Sequence, residues 1–235
     1  MLLHRTLNMV NLRIITFLFA ISCITSCGNN QNQQEQKKEE AAVKDSTPVA
    51  VSKTILFFGN SLTAGYGVDI TEAFPALIQH RIDSLKLGYK VINAGLSGET
   101  SAGGKNRIGW LLRQKVDVFV LELGANDGLR GIAVKETVKN LQDIIDSVKT
   151  SNSAAKIVIA GMQVPPNMGA SYTNEFKGIF GELAKKNNAE LIPFILEGVG
   201  GEPELNQADG IHPTIEGHKI VASNVWKTVS PLLDK

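Results

Sequence analysis

Five short aliphatic runs recur along the chain: "TILFFG" (54–59), "KVINAG" (90–95), "VDVFVLELG" (116–124), "KIVIAG" (156–161) and "AELIPF" (189–194). Most are unbroken apolar stretches, which predicts strands covered on both faces rather than strands with one wet side. Four of the five close on a glycine, where a strand hands over to a loop. Between them the apolar positions change to a helical period. Segment 71–88 sets Phe74, Leu77, Ile78, Ile82 and Leu85 on one stripe, with Thr71 and Glu72 at its start, Pro75 in its first turn and Gly88 at a C-cap position. Segment 134–150 repeats the pattern with Val134, Val138, Leu141, Ile145 and Val148, and 172–188 and 214–233 complete the set. Strand and helix alternating in this way predict an α/β fold, a five-stranded parallel sheet with helices on both faces. Such sheets bind ligands outside the carboxyl ends of their strands. "GNSL", "NAGLSGET", "GANDGLRG" and "ADGIHP" follow the first, second, third and fifth runs, so the polar and glycine-rich residues gather at that edge.

The pattern is different before residue 53. The first 34 residues hold no Asp or Glu, and Arg5 and Arg13 precede an apolar run from Ile14 to Ile24. This is the layout of a secretory signal, and the run is shorter than the roughly 20 residues a membrane span needs. "ITSC" (24–27) resembles the lipobox of bacterial lipoproteins, which implies a signal peptide over 1–26 and lipid attachment at Cys27. Cys23 fits that pattern less well, because Ala20 stands at the aliphatic position. The following stretch has no aromatic residue and no large aliphatic other than valine, too little apolar surface to offset the entropy of ordering it. Residues 27–52 therefore read as the lipidated cysteine and a flexible linker with a coil reach of about 25 to 30 Å. A domain over 53–235 follows. A lipid at Cys27 would tether this domain to a membrane of the cell envelope, facing periplasm or cell surface.

Composition narrows the function classes. Of 235 residues, 43% are hydrophobic and the net charge is +1, without the concentrated Lys/Arg excess of a nucleic-acid-binding surface. No cysteine follows Cys27, so the domain has no disulfide.

Ser61 stands at the turn that ends the first strand. The surrounding residues match neither the G-x-S-x-G elbow nor a phosphate-binding Gly-Lys-Ser/Thr loop. By itself it reads as a turn hydrogen bonder; a nucleophilic role needs a base and oxyanion donors. His212 is the candidate base: Asp209 lies three residues before it, a spacing at which a carboxylate reaches the imidazole Nδ1 and leaves Nε2 for a hydroxyl. His80 falls within the first predicted helix and reads as solvated. His218 is six residues from His212 and on a different helix face, which argues against a shared metal. The Asn126 amide, the Gly98 N–H and the N–H of Ser61 itself are candidate oxyanion donors. Glu122, alone in an apolar strand, reads as a structural acceptor for loop amides.

Taken together, "GNSL", Gly98 in "NAGLSGET", Asn126 in "GANDGLRG" and Asp209/His212 in "DGIHP" resemble the SGNH (GDSL-type) hydrolase superfamily. The runs "LGANDGLRG", "YTNEF" and "LIPFILEGV" point to its thioesterase I/lysophospholipase/arylesterase branch. The resemblance implies a three-layer α/β/α, flavodoxin-like fold and a monomer. It also implies a serine esterase needing no metal or other cofactor, with Ser61, His212 and Asp209 catalytic and Ser61, Gly98 and Asn126 forming the oxyanion hole. One residue departs from the family pattern: Asn60 occupies the position before the nucleophile where Asp is usual.

The expected substrates are carboxylic esters or thioesters, among them aryl esters, short acyl esters and lysophospholipids. The segment "MQVPPNMGASY" (162–172) is expected to border the acyl pocket. Two other readings stay open on sequence alone: an O-acetyl esterase acting on carbohydrate or cell-wall polysaccharide, and a lipoprotein binding module without catalysis.

Overall fold

The computed structural model describes residues 53–234. The expected signal peptide, the expected lipid attachment at Cys27 and the expected linker lie outside the described residues. The five aliphatic runs form strands β1 (Lys53–Gly59), β2 (Tyr89–Gly95), β3 (Val118–Glu122), β4 (Lys156–Ala160) and β5 (Glu190–Ile192). All pair in parallel in the order β2-β1-β3-β4-β5. That order reverses direction between β1 and β3, the switch point where open sheets of this class hold their ligands.

The helices are α1 (Ser61–Ala64), α2 (Phe74–Ser84), α3 (Ser101–Leu111), α4 (Ala125–Leu129), α5 (Val134–Ser151), α6 (Ala170–Asn187) and α7 (Ile215–Val229). Helix α2 packs on α7, whereas α5 packs on both α3 and α6, so helices cover the two faces of the sheet in separate sets. Burial follows the predicted stripes. Ile55 to Phe58, Val118 to Leu121, and Leu141, Ile144, Ile145 and Val148 of α5 are all within the core. Each such side chain contributes about 1.5–3 kcal/mol of transfer free energy.

Three boundaries differ from the sequence expectation. Helix α2 begins after Ala73 rather than at Thr71, because Thr71 instead bonds Asp69 through its N–H (2.9 Å) and its hydroxyl (2.6 Å). Its other end stops well before Gly88. The Leu87 N–H reaches the Ile82 carbonyl (3.1 Å) and the Lys86 N–H reaches that of Asp83 (3.0 Å), a Schellman closure with Lys86 at φ +54° in the place glycine usually takes. Leu85 is thereby left 55% exposed, off the core stripe. Helix α7 ends at Val229, and a 3-10 turn over Ser230–Leu232 replaces the rest.

Helix α3 has no counterpart in the apolar periodicity. Its buried face is Ser101, Gly104, Ile108 and Leu111, so half the stripe carries no apolar side chain. Gly104 is required by close approach: a Cβ there would lie 2.4 Å from Leu123 Cδ1.

Candidate active site

The site begins with the way β1 ends. Gly59 pairs in register with Gly95 on one side and Glu122 on the other, so the loops after β1, β2 and β3 leave the sheet side by side. Asn60 caps helix α1, its Oδ1 accepting from the Leu62 N–H at 3.0 Å, and this turn presents Ser61. Behind it, Glu122 is 2% exposed and accepts three hydrogen bonds, from Asn60 N (3.1 Å), Asn60 Nδ2 (2.7 Å) and Thr63 Oγ1 (2.8 Å). Glu122 is thus the structural acceptor expected from the sequence, although burial pushes its carboxyl up to about 7 against those bonds. A Cβ on Gly59 would fall 2.5 Å from Glu122 Oε2, so only glycine fits where the carboxylate meets the turn.

Ser61 is 8% exposed, and its Oγ lies 2.8 Å from His212 Nε2. His212 Nδ1 lies 2.7 Å from Asp209 Oδ2. With Nδ1 protonated, the imidazole donates to Asp209 and presents Nε2 as acceptor to the serine hydroxyl. The bond from His212, with the backbone N–H of Ile211, holds the Asp209 carboxyl down at about 2. The Asp209 Oδ1 also accepts from the backbone N–H groups of Ile211 (3.0 Å) and His212 (3.1 Å), which folds the loop around it. The Gln207 N–H donates to the His212 carbonyl at 2.7 Å and closes the same loop from its other side.

Gly98 and Asn126 line the same cavity as Ser61 and His212. The Glu99 N–H donates to the Leu96 carbonyl (3.1 Å), which makes residues 96–99 a turn with Gly98 third. Its φ of +79° is the value a type II turn requires there and glycine allows. Asn126 Nδ2 donates to the Glu99 carbonyl at 3.0 Å, which uses one of its two N–H groups and leaves the other uncommitted.

The cavity is about 550 Å³ and is walled by Leu62, Leu129, Met162, Val164, Phe194 and Leu196. Met162 to Pro166 lie along it, as the "MQVPP" segment was expected to do. His80 is exposed, as expected. His218 is buried, its Nδ1 accepting from the Phe74 N–H (3.3 Å), and burial lowers its pKa to about 4.

Comparison with known proteins identifies the family. Residues 57–220 match the model of the GDSL-like Lipase/Acylhydrolase family. The chain belongs to this family. It is 40% identical to esterase TesA of Pseudomonas aeruginosa over 188 residues, which are 80% of this chain and 92% of that protein. It is 37% identical to thioesterase 1/protease 1/lysophospholipase L1 of Escherichia coli, over 79% of this chain and 87% of that one. A crystal structure of TesA superposes with a TM-score of 0.74 at 41% identity, covering 77% of this chain and all (100%) of that one. AlinE4, an SGNH-hydrolase family esterase, superposes at 0.64 with 40% identity, covering 78% of this chain and 98% of its own. The chain is accordingly a carboxylic ester hydrolase.

Two contributors to the site carry no signal in the sequence. The ring of Tyr66 packs against that of His212 with centroids 4.6 Å apart, and its carbonyl accepts from Gln207 Nε2 at 2.7 Å. Arg107, on α3, meets Glu99 in the loop that carries Gly98. Neither belongs to a motif, and the helix bearing Arg107 was itself hidden from the periodicity.

Proposed function

We propose that the hydrolase transfers the acyl group of apolar carboxylic esters or thioesters to Ser61 and then to water. His212 takes the Ser61 proton as Oγ attacks the carbonyl carbon, and the negative charge moves to the carbonyl oxygen among the N–H groups of Ser61 and Gly98 and the Asn126 amide. The resulting imidazolium gives its proton to the departing alcohol or thiol. The neutral imidazole then takes a proton from the attacking water and returns it to Ser61 Oγ as the acid leaves. Asp209 holds the imidazole and stabilises its charged form throughout.

The observation that carries this reading is the continuous Asp209–His212–Ser61 chain, at 2.7 and 2.8 Å, opening into an apolar cavity of about 550 Å³. An apolar wall favours an acyl chain over a polysaccharide, which would want hydrogen-bonding groups. Aryl esters, short acyl esters and lysophospholipids all fit that description, and relatives named esterase, lysophospholipase and arylesterase support it.

No helix among the described residues is long and apolar enough to cross a membrane. The lipobox-like "ITSC" supports tethering through Cys27 at the cell envelope, with the domain acting as a monomer on esters outside the cytoplasm. Wild-type protein should hydrolyse p-nitrophenyl esters and label with a fluorophosphonate probe. Ser61→Ala should lose both while keeping its melting temperature. Labelling or turnover that survives Ser61→Ala would overturn the assignment.

A further inference from the structure

We propose that Arg107 is a positioning residue for the reaction, locking both external oxyanion donors to the strand that presents the nucleophile. The inference rests on the acyl-transfer reading above. Arg107 lies outside the lining of the catalytic cavity, so it acts only through what it holds.

Its guanidinium makes four hydrogen bonds. Nε donates to Glu99 Oε1 at 2.6 Å, and Nη2 donates to Glu99 Oε2 at 2.5 Å, a fork on one carboxylate. Nη2 also reaches the Ala94 carbonyl at 2.7 Å and the Gly59 carbonyl at 3.4 Å. Underneath, the cation rests 4.2 Å from the centroid of the Phe58 ring. One side chain therefore grips the end of β1, the end of β2 and the turn between β2 and α3.

Those are the elements that matter. Gly59 lies two residues before Ser61. Glu99 directly follows Gly98, and its own carbonyl accepts from Asn126 Nδ2 at 3.0 Å. The Leu96 N–H, at the start of the turn, donates to the same Gly59 carbonyl at 3.0 Å. Moving Glu99 would thus displace the Gly98 N–H and the Asn126 amide together. Glu99 is 6% exposed, so its charge requires a partner, and a planar fork is the geometry that arginine supplies and lysine does not. Outside the turn, Arg130 Nη2 holds the Gly98 carbonyl at 3.0 Å, but from an exposed position that solvent weakens.

The test is Arg107→Lys, with Glu99→Gln as a second variant should the first fail to fold. Both are assayed with p-nitrophenyl acetate and with a p-nitrophenyl phosphonate, whose phosphoryl oxygen occupies the oxyanion site as Ser61 attacks phosphorus. Displacement of preorganised groups by about 1 Å costs on the order of 10²-fold in rate. Arg107→Lys should therefore lower kcat by about that factor, and Glu99→Gln by about tenfold, because it keeps part of the fork. KM should hold within about threefold, since the cavity wall is untouched. Phosphonylation should slow in parallel with kcat. A folded variant with wild-type kcat, a loss confined to KM, or phosphonylation at the wild-type rate would each overturn the proposal. Failure of the acyl-transfer reading would show differently, as absent ester turnover and phosphonylation in the wild-type protein.

Discussion

Asn60→Asp restores the residue usual in the family and isolates the buried network behind the nucleophile. It replaces an N–H donor 2.7 Å from Glu122 Oε1 by a second carboxylate. Two unit charges at that separation repel by about 6 kcal/mol at an effective dielectric constant of 20. The pair therefore keeps one proton through neutral pH, and a short O–H···O bond takes the place of the amide's hydrogen bond. The other oxygen of the introduced carboxylate still accepts from the Leu62 N–H, so the turn presenting Ser61 is unchanged. At pH 7 turnover should stay within about threefold of wild type, because the groups that move protons are untouched.

Stability should then depend on pH differently in the two proteins. In the wild type, Glu122 has a folded pKa of about 7 against an ordinary value of 4.5. A raised carboxyl contributes most below its unfolded value, loses that contribution as pH climbs towards 7, and is flat above it. In Asn60→Asp the shared proton is released only at higher pH, so the loss continues at about 1.4 kcal/mol per pH unit where the wild type has levelled off. At two units above neutrality this amounts to about 3 kcal/mol. For a domain of this size it is a fall of roughly 6–12 °C in melting temperature relative to wild type. Paired thermal melts and p-nitrophenyl acetate assays across that range provide the measurement. A melting-temperature difference that does not change with pH would refute the shared proton. A turnover change beyond about tenfold at neutrality would refute the structural role given to residue 60.

His218 sets the opposite limit. Its folded pKa of about 4 lies below the ordinary 6.5, so its contribution is complete above 6.5 and declines as pH falls towards 4, by on the order of 3 kcal/mol in all. Acid melts of His218→Phe should show a shallower slope over that interval, with a constant penalty of about 1 kcal/mol for the Phe74 N–H it leaves unpaired; an unchanged slope would place the acid sensitivity elsewhere. Gly104→Ala should destabilise by about 1–3 kcal/mol in urea unfolding, since its Cβ would overlap Leu123 Cδ1 at 2.4 Å. A neutral or stabilising result would mean that α3 shifts freely on the sheet.

The sheet was legible because its three central strands are covered on both faces, and Ile55–Phe58 or Val118–Leu121 have no polar interruption to confuse the period. Helix α5 was legible for the complementary reason, a sharp division between Leu141, Ile144, Ile145 and Val148 and a charged outer face. Helix α3 was not, because its contact with the sheet is made by Ser101 and Gly104, residues chosen for small size rather than hydrophobicity. The end of α2 was misread for a related cause: a Schellman closure is specified by backbone bonds, and Lys86 tolerates the left-handed conformation that glycine would have advertised. At the site, the sequence showed Ser61, Gly98, Asn126, Asp209 and His212 because loop motifs carry them. Arg107, which holds the Gly98 loop from outside the cavity, and Tyr66, which packs on His212 within it, sit in no pattern, and only their distances single them out.

Register explains why so few residues suffice. Gly59 sits opposite both Gly95 and Glu122, so the chain leaves all three neighbouring strands at one level of the sheet. Two residues beyond Gly59 comes Ser61, three beyond Gly95 comes Gly98, and four beyond Glu122 comes Asn126. A slip of one residue in either pairing would turn every side chain of that strand to the opposite face and expose half of its core residues. The hydrophobic core therefore fixes where the polar loops begin. What remains is to hold their first turns, and buried glutamates do this at two points: Glu122 gathers Asn60 and Thr63 behind Ser61, and Glu99, its carboxylate paired with Arg107, accepts from Asn126 beside Gly98 through its carbonyl. Both are buried or half-buried polar networks, in which losing one member strands the other without water. The fold thus places its least replaceable polar contacts behind the reacting atoms, where they leave the cavity wall free to be apolar.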